Sequence, residues 1–109
     1  MIPQKKVLSE EEARKAAAAA LQLACKTLRN FIGGKDEVDR RLWFQAGQAY
    51  RRADFLSLLV LRKILVAVYN RLTHHILVGQ RIDLKTVSTA YKAMSTLSSI
   101  LSAKEEEGS

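Results

Sequence analysis

Three basic doublets, Arg40-Arg41, Arg51-Arg52 and Arg62-Lys63, recur at eleven-residue intervals, each ahead of a mainly apolar stretch: RRLWFQAGQAY, RRADFLSLLVL and RKILVAVYNRL. Guanidinium groups fork onto phosphate or carboxylate oxygens and keep their charge across the physiological pH range. The chemistry on offer is the gripping of an anion, and the repeat suggests an extended one. In an α-helix eleven residues turn the chain through about 1,100°, or 20° past three full turns, and advance it by about 16 Å. A single helix would therefore stack the doublets as rungs on one face.

The charge balance is focal. Residues 40–81 carry Arg40, Arg41, Arg51, Arg52, Arg62, Lys63, Arg71 and Arg81 against Asp54 alone, which equals the whole formal charge of +7. The flanking stretches nearly cancel. A concentrated patch attracts nucleic acid or an anionic surface through counterion release, whereas dispersed charge mainly confers solubility. The competing reading is a salt-bridged surface between subunits.

No group of residues suggests an enzyme. Carboxylate pairs, glycine-rich phosphate loops and nucleophile elbows are missing, and Cys25, the sole cysteine, offers neither a disulfide within the chain nor a thiolate cluster. No metal or cofactor is expected. His74 and His75 point about 100° apart on a helix and make a poor metal pair. Near a helix C-terminus they would face its free carbonyls.

Trp43, Phe44, Tyr50, Phe55 and Tyr69 interleave with the bases and offer stacking surfaces for unpaired nucleobases. The ordinary place for aromatics at helical spacing is the core. Tyr50, beside Arg51, is the first to test.

Positioning these residues requires helices. The only proline is Pro3 and 48% of the chain is apolar, enough for one core in 109 residues. The expected fold is all-α, an antiparallel bundle of about four helices near 10–32, 36–50, 54–78 and 83–103. It forms a single domain over 1–109, with residues 1–8 and 104–109 as flexible tails. Ser9 and Glu12 spell a capping box, and Gly33-Gly34 suits a left-handed stop. Ala17, Leu21, Ala24, Leu28 and Ile32 form the first buried stripe. Asp83 suits the cap of the last helix, with Leu84, Val87, Tyr91, Met94, Leu97 and Leu101 inward and a hydroxyl-rich face, including Thr86, outward.

The middle segment is the ambiguous one. Drawn as one helix, residues 36–78 would span about 60 Å, long for so small a domain. A break near Gly47 to Asp54 gives more compatible lengths. With that break Arg40-Arg41 leaves the common axis, and only the doublets at 51/52 and 62/63 remain in line. Residues 54–69 are apolar nearly all round, which calls for burial on more than one side or contact with neighbouring copies.

No uncharged apolar run approaches the roughly 18 residues that would suggest a membrane span, and the three acids Glu10, Glu11 and Glu12 disfavour a signal peptide. A cytoplasmic protein with no membrane partner is expected.

Two family resemblances bear on function. The string YNRLTHH, residues 69–75, resembles the HEPN ribonuclease motif, in which an arginine precedes a histidine by several positions within a helical bundle. Aligning Asn70 and His74 with that motif puts Tyr69 where the arginine belongs, so the resemblance implies a degenerate HEPN-like bundle. In size, helix content and placement of charge, the chain resembles the small subunits of CRISPR Cascade-type effector complexes. That resemblance implies a non-catalytic antiviral-defence subunit, stacked with other copies and larger subunits along single-stranded nucleic acid or an RNA–DNA duplex backbone. The alternative from the residues themselves is an oligomerisation or adaptor module that binds an acidic protein.

Overall fold

The computed structural model describes residues 9–108, with side chains as far as Lys104. Helix α1 spans Glu10–Leu28. The Ser9 hydroxyl accepts the Glu12 amide at 3.1 Å and lies 3.2 Å from the Glu12 carboxylate. The Ser9 hydroxyl thus provides the serine half of the expected capping box and also donates to the Glu12 carboxylate. Ala13, Ala17, Ala20, Leu21, Ala24 and Leu28 are buried, four of the five expected stripe residues among them, while Ile32 is only half-buried.

The end of α1 corrects an expectation. The chain tightens into a 3-10 turn over Arg29–Phe31, and the Gly34 amide bonds the Phe31 carbonyl at 3.2 Å. That turn satisfies trailing carbonyls without a left-handed residue. The only positive-φ glycine among the described residues is Gly79, at φ 91°.

Helix α2 spans Glu37–Arg51, capped by Asp36, whose carboxylate accepts the Val38 amide at 2.9 Å. Helix α3 spans Leu58–Leu77, capped by the Ser57 hydroxyl on the Val60 amide at 3.1 Å. The break in the middle segment is thus real but lies at residues 52–57, later than expected. Gly47 stays inside α2, buried against Cys25 of α1. Two forces set the position. Ser57 starts α3, and Arg14 donates from Nη1 to the carbonyls of Ala53, at 2.7 Å, and Leu56, clamping the corner.

Helix α3 ends in a Schellman motif. The Gln80 amide bonds the His75 carbonyl at 2.8 Å, and the Gly79 amide bonds that of Ile76 at 3.0 Å. Glycine is suited to this left-handed position because it has no Cβ to clash.

Helix α4 spans Leu84–Gly108, with Asp83 accepting the Lys85 amide at 3.0 Å. It continues past the expected end at 103. Ala103 and Lys104 are good helix formers, and Lys104 reaches Glu10 of α1 at 3.2 Å. The expected inner stripe of α4 is also corrected. Thr86, Ala90, Ala93, Leu97 and Ile100 are the buried residues, whereas Leu84 and Tyr91 are exposed. Small residues let α4 approach the alanine-rich side of α1 closely, and Thr27 and Thr86 hydroxyls stand 3.5 Å apart across that seam.

Helix α1 packs against α2 and α4, α3 packs against α4 and α2, and α1 meets α3 across the centre. The all-α bundle is therefore as the sequence predicts. Leu21, Leu28, Leu61, Leu65, Val68, Leu72 and Leu97 are the largest fully buried side chains. No helix among the described residues is long and apolar enough to cross a membrane.

Candidate nucleic-acid interface

Asp39, Leu42, Ala46 and Ala49 form the buried stripe of α2, and Ala53 beyond its end continues it. At 100° per residue this rotation turns Arg40, Arg41, Phe44, Gln48, Arg51 and Arg52 to the outside, and all six are exposed. Arg40 with Arg51, and Arg41 with Arg52, stand eleven residues apart on or just beyond a single helix, about 16 Å along its axis. The doublets that share an axis are therefore 40/41 and 51/52, not 51/52 and 62/63. Because the break falls after Arg51, the first pair stays together and the third moves to α3.

On α3, Lys63 is exposed and Arg62 is half-buried, with its Nε unpartnered among the described residues. Arg81 is exposed in the connection to α4. Among the described residues, Arg40, Arg41, Arg51, Arg52, Arg62, Lys63 and Arg81 have no carboxylate within 4.0 Å.

Arg71 is different. Its side chain is 14% exposed and bonds Asp39 through Nε and Nη2, each at 3.0 Å, with Nη2 also 2.9 Å from Asp36. The structure thus separates Arg71 from the outward arginines and commits it to tying α3 to the start of α2. His75, 6% exposed, adds Nε2 to Asp39 Oδ1 at 2.7 Å and stacks on Phe31 at 3.9 Å. It sits in this network and not free at the helix end, a correction to its expected place; only His74 is exposed.

Burial pushes the Asp39 carboxyl up, but hydrogen bonds from Arg71 and His75 and their charges outweigh it, and the net shift is downward. The Val38 amide, and after it Arg71, lowers Asp36. Arg71 is held well above its ordinary value, chiefly by its hydrogen bonds to Asp39.

Two grooves flank the arginine face of α2. One, toward α3, holds about 210 Å³ and is lined by Gln45, Gln48, Arg52, Val60 and Ile64 among others. The other lies toward α1, also about 210 Å³, and brings Lys26 and Arg29 beside Tyr50 and Arg51. Lys26 and Arg29 belong to the charge-balanced first third of the sequence, and only helix packing reveals that they join the basic patch. Their spacing of three residues, which puts them on one side of α1, was the available signal. Among the described residues no three His, Cys, Asp or Glu side chains gather to hold a metal ion.

Compared with protein-family models, with curated proteins and with solved structures, the chain finds no match in any of the three.

Proposed function

We propose that this chain is a non-catalytic, cytoplasmic nucleic-acid-binding subunit of a larger nucleoprotein assembly, gripping phosphate backbone without reading sequence. The observation that carries the reading is the outer face of α2. Four arginines stand there in two aligned rows, exposed and free of carboxylate partners among the described residues. Arginine left without an acid favours the bidentate capture of phosphate. Lys63, Arg62 and Arg81 would extend the contact from α3 and its exit.

Exposed apolar side chains at Phe55, Leu59, Leu77, Val78 and Leu84 support the assembly half of the proposal. Stacking of copies along a nucleic acid, as in the CRISPR small subunits that the sequence resembles, would cover such residues. The same residues favour the second reading, a helical adaptor whose arginines meet an acidic protein.

Binding of labelled oligonucleotides across a salt series tests the first reading. Four to six phosphate contacts predict a log–log slope of about −3 to −5. A flat response overturns it. Charge reversal of Arg51 and Arg52 separates the two readings: the first loses nucleic acid and keeps its oligomeric state, whereas the second loses assembly.

A further inference from the structure

The groove between α1 and α2 combines two kinds of surface that a duplex cannot use together. Lys26 comes from the last turn of α1, Arg29 from the start of the 3-10 turn that follows it, and Arg51 from the end of α2. Tyr50, 37% exposed, and Trp43, half-buried, line the same space. No Asp or Glu lines it, and among the described residues its three cations have no carboxylate within 4.0 Å. Gln22 lies 3.5 Å from the Tyr50 hydroxyl, so the ring is tethered across the interhelical seam.

Cys25 at the floor adds no acid. Burial pushes its thiol up, against the opposing pull of Arg51 and Arg29, which keeps it neutral at ordinary pH. Trp43 also lines two adjoining depressions. The first contains Phe44 and Arg51, and the second is lined by Glu37, Arg40, Arg41 and Phe44. Aromatic and basic side chains thus alternate from Arg29 across α2 to Arg41.

A duplex offers such a track only its phosphates, because its bases are stacked inside. A single strand offers phosphates and bare π-faces, and binders of single strands combine basic grooves with aromatic platforms. Building on the proposed nucleic-acid reading, we infer that the α1–α2 groove receives an unpaired nucleobase on Tyr50. Lys26, Arg29 and Arg51 hold the flanking phosphates of that single strand. The ligand class is single-stranded nucleic acid, and the residues new to the site are Lys26 and Arg29.

The test uses the full chain with a labelled oligothymidylate, an oligouridylate and a duplex of equal length. Trp43 is the only tryptophan, so its emission reports on the groove directly and should change with either single strand. Tyr50→Leu should weaken single-strand binding about fivefold or more and leave duplex binding unchanged, while Tyr50→Phe should bind as wild type. Lys26→Gln with Arg29→Gln should reduce the single-strand salt slope by about 1.4, at roughly 0.7 per phosphate contact. Both residues are exposed at least in part, so this pair retains the fold, as circular dichroism would verify. Wild-type binding that survives Tyr50→Leu and the glutamine pair without loss overturns the groove assignment and leaves the broader proposal standing. Failure of the wild type to bind any probe overturns both.

Discussion

Arg71 meets Asp39 fork to fork, with Nε on Oδ1 and Nη2 on Oδ2, each at 3.0 Å. The pair joins the fourth turn of α3 to the first turn of α2, and His75 closes the carboxylate from one helical turn further on. A buried carboxylate with two cationic or hydrogen-bonding partners fixes how two helices align, since any slip leaves a charge unpaired.

Removing the acid alone should therefore be costly. Asp39→Ala leaves the largely buried Arg71 with Asp36 as its remaining carboxylate. Breaking a buried pair from one side typically costs about 3–5 kcal/mol, and the surviving Asp36 contact should hold the loss near the lower end of that range. Urea denaturation of Asp39→Ala against wild type measures it. A loss within about 0.5 kcal/mol, the range of an ordinary surface substitution, would contradict a structural role for the pair.

The same carboxylate makes stability sensitive to acid. Its folded-state pKa lies below the ordinary Asp value of about 3.9. The stabilisation it provides is therefore complete above roughly pH 4 and is lost as pH falls through the depressed folded-state value. Asp39→Asn should be less stable than wild type at pH 7 and approach it only as pH falls through that depressed value, where the wild-type carboxyl becomes protonated in the folded protein. Thermal unfolding at stepped pH checks this, and parallel curves for the two proteins would refute it.

Arg14 supports the α2–α3 corner by donating to the Ala53 and Leu56 carbonyls. A hydrogen bond from a charged donor contributes about 1.5–3 kcal/mol. Arg14→Met keeps the apolar stem and removes both donors, so a loss of about 2 kcal/mol or more in chemical denaturation is expected. Arg14→Lys should recover only part of it, because one ammonium lacks the planar fork.

Helix identity and caps were legible in the sequence because they rest on local rules. Ser9 and Asp83 act within a few residues of their own position and were read as caps, whereas the equally local Asp36 cap was not singled out and Gly79, not Gly33 or Gly34, takes the left-handed role. Ser57 set a boundary that the more conspicuous Gly47 concealed. What stayed hidden depends on which helices touch. The rotation of α4 toward Ala90 and Ala93 follows from the alanine surface of α1, and a helical wheel for α4 alone weights its large residues instead. In the candidate site, Arg71 reads like any other arginine until Asp36 and Asp39 are brought across from α2. Lys26 and Arg29 likewise gain meaning only beside Arg51.

The arrangement of the doublets yields the most discriminating prediction. If phosphate lies along α2, Arg40→Gln and Arg51→Gln act on the same face about 16 Å apart, and each should lower the salt slope by about 0.7–0.9 without unfolding the chain. Lys63→Gln, on the outer side of α3, should have the smaller effect unless the ligand wraps from one helix to the other. Arg71→Gln should behave oppositely, lowering Tm while leaving the slope of the remaining folded protein intact, because its guanidinium already holds two carboxylates. Measuring slope and Tm for all four variants separates a contact residue from a structural one. Loss of slope at Arg71 with none at Arg40 or Arg51 would move the contact face off α2 altogether.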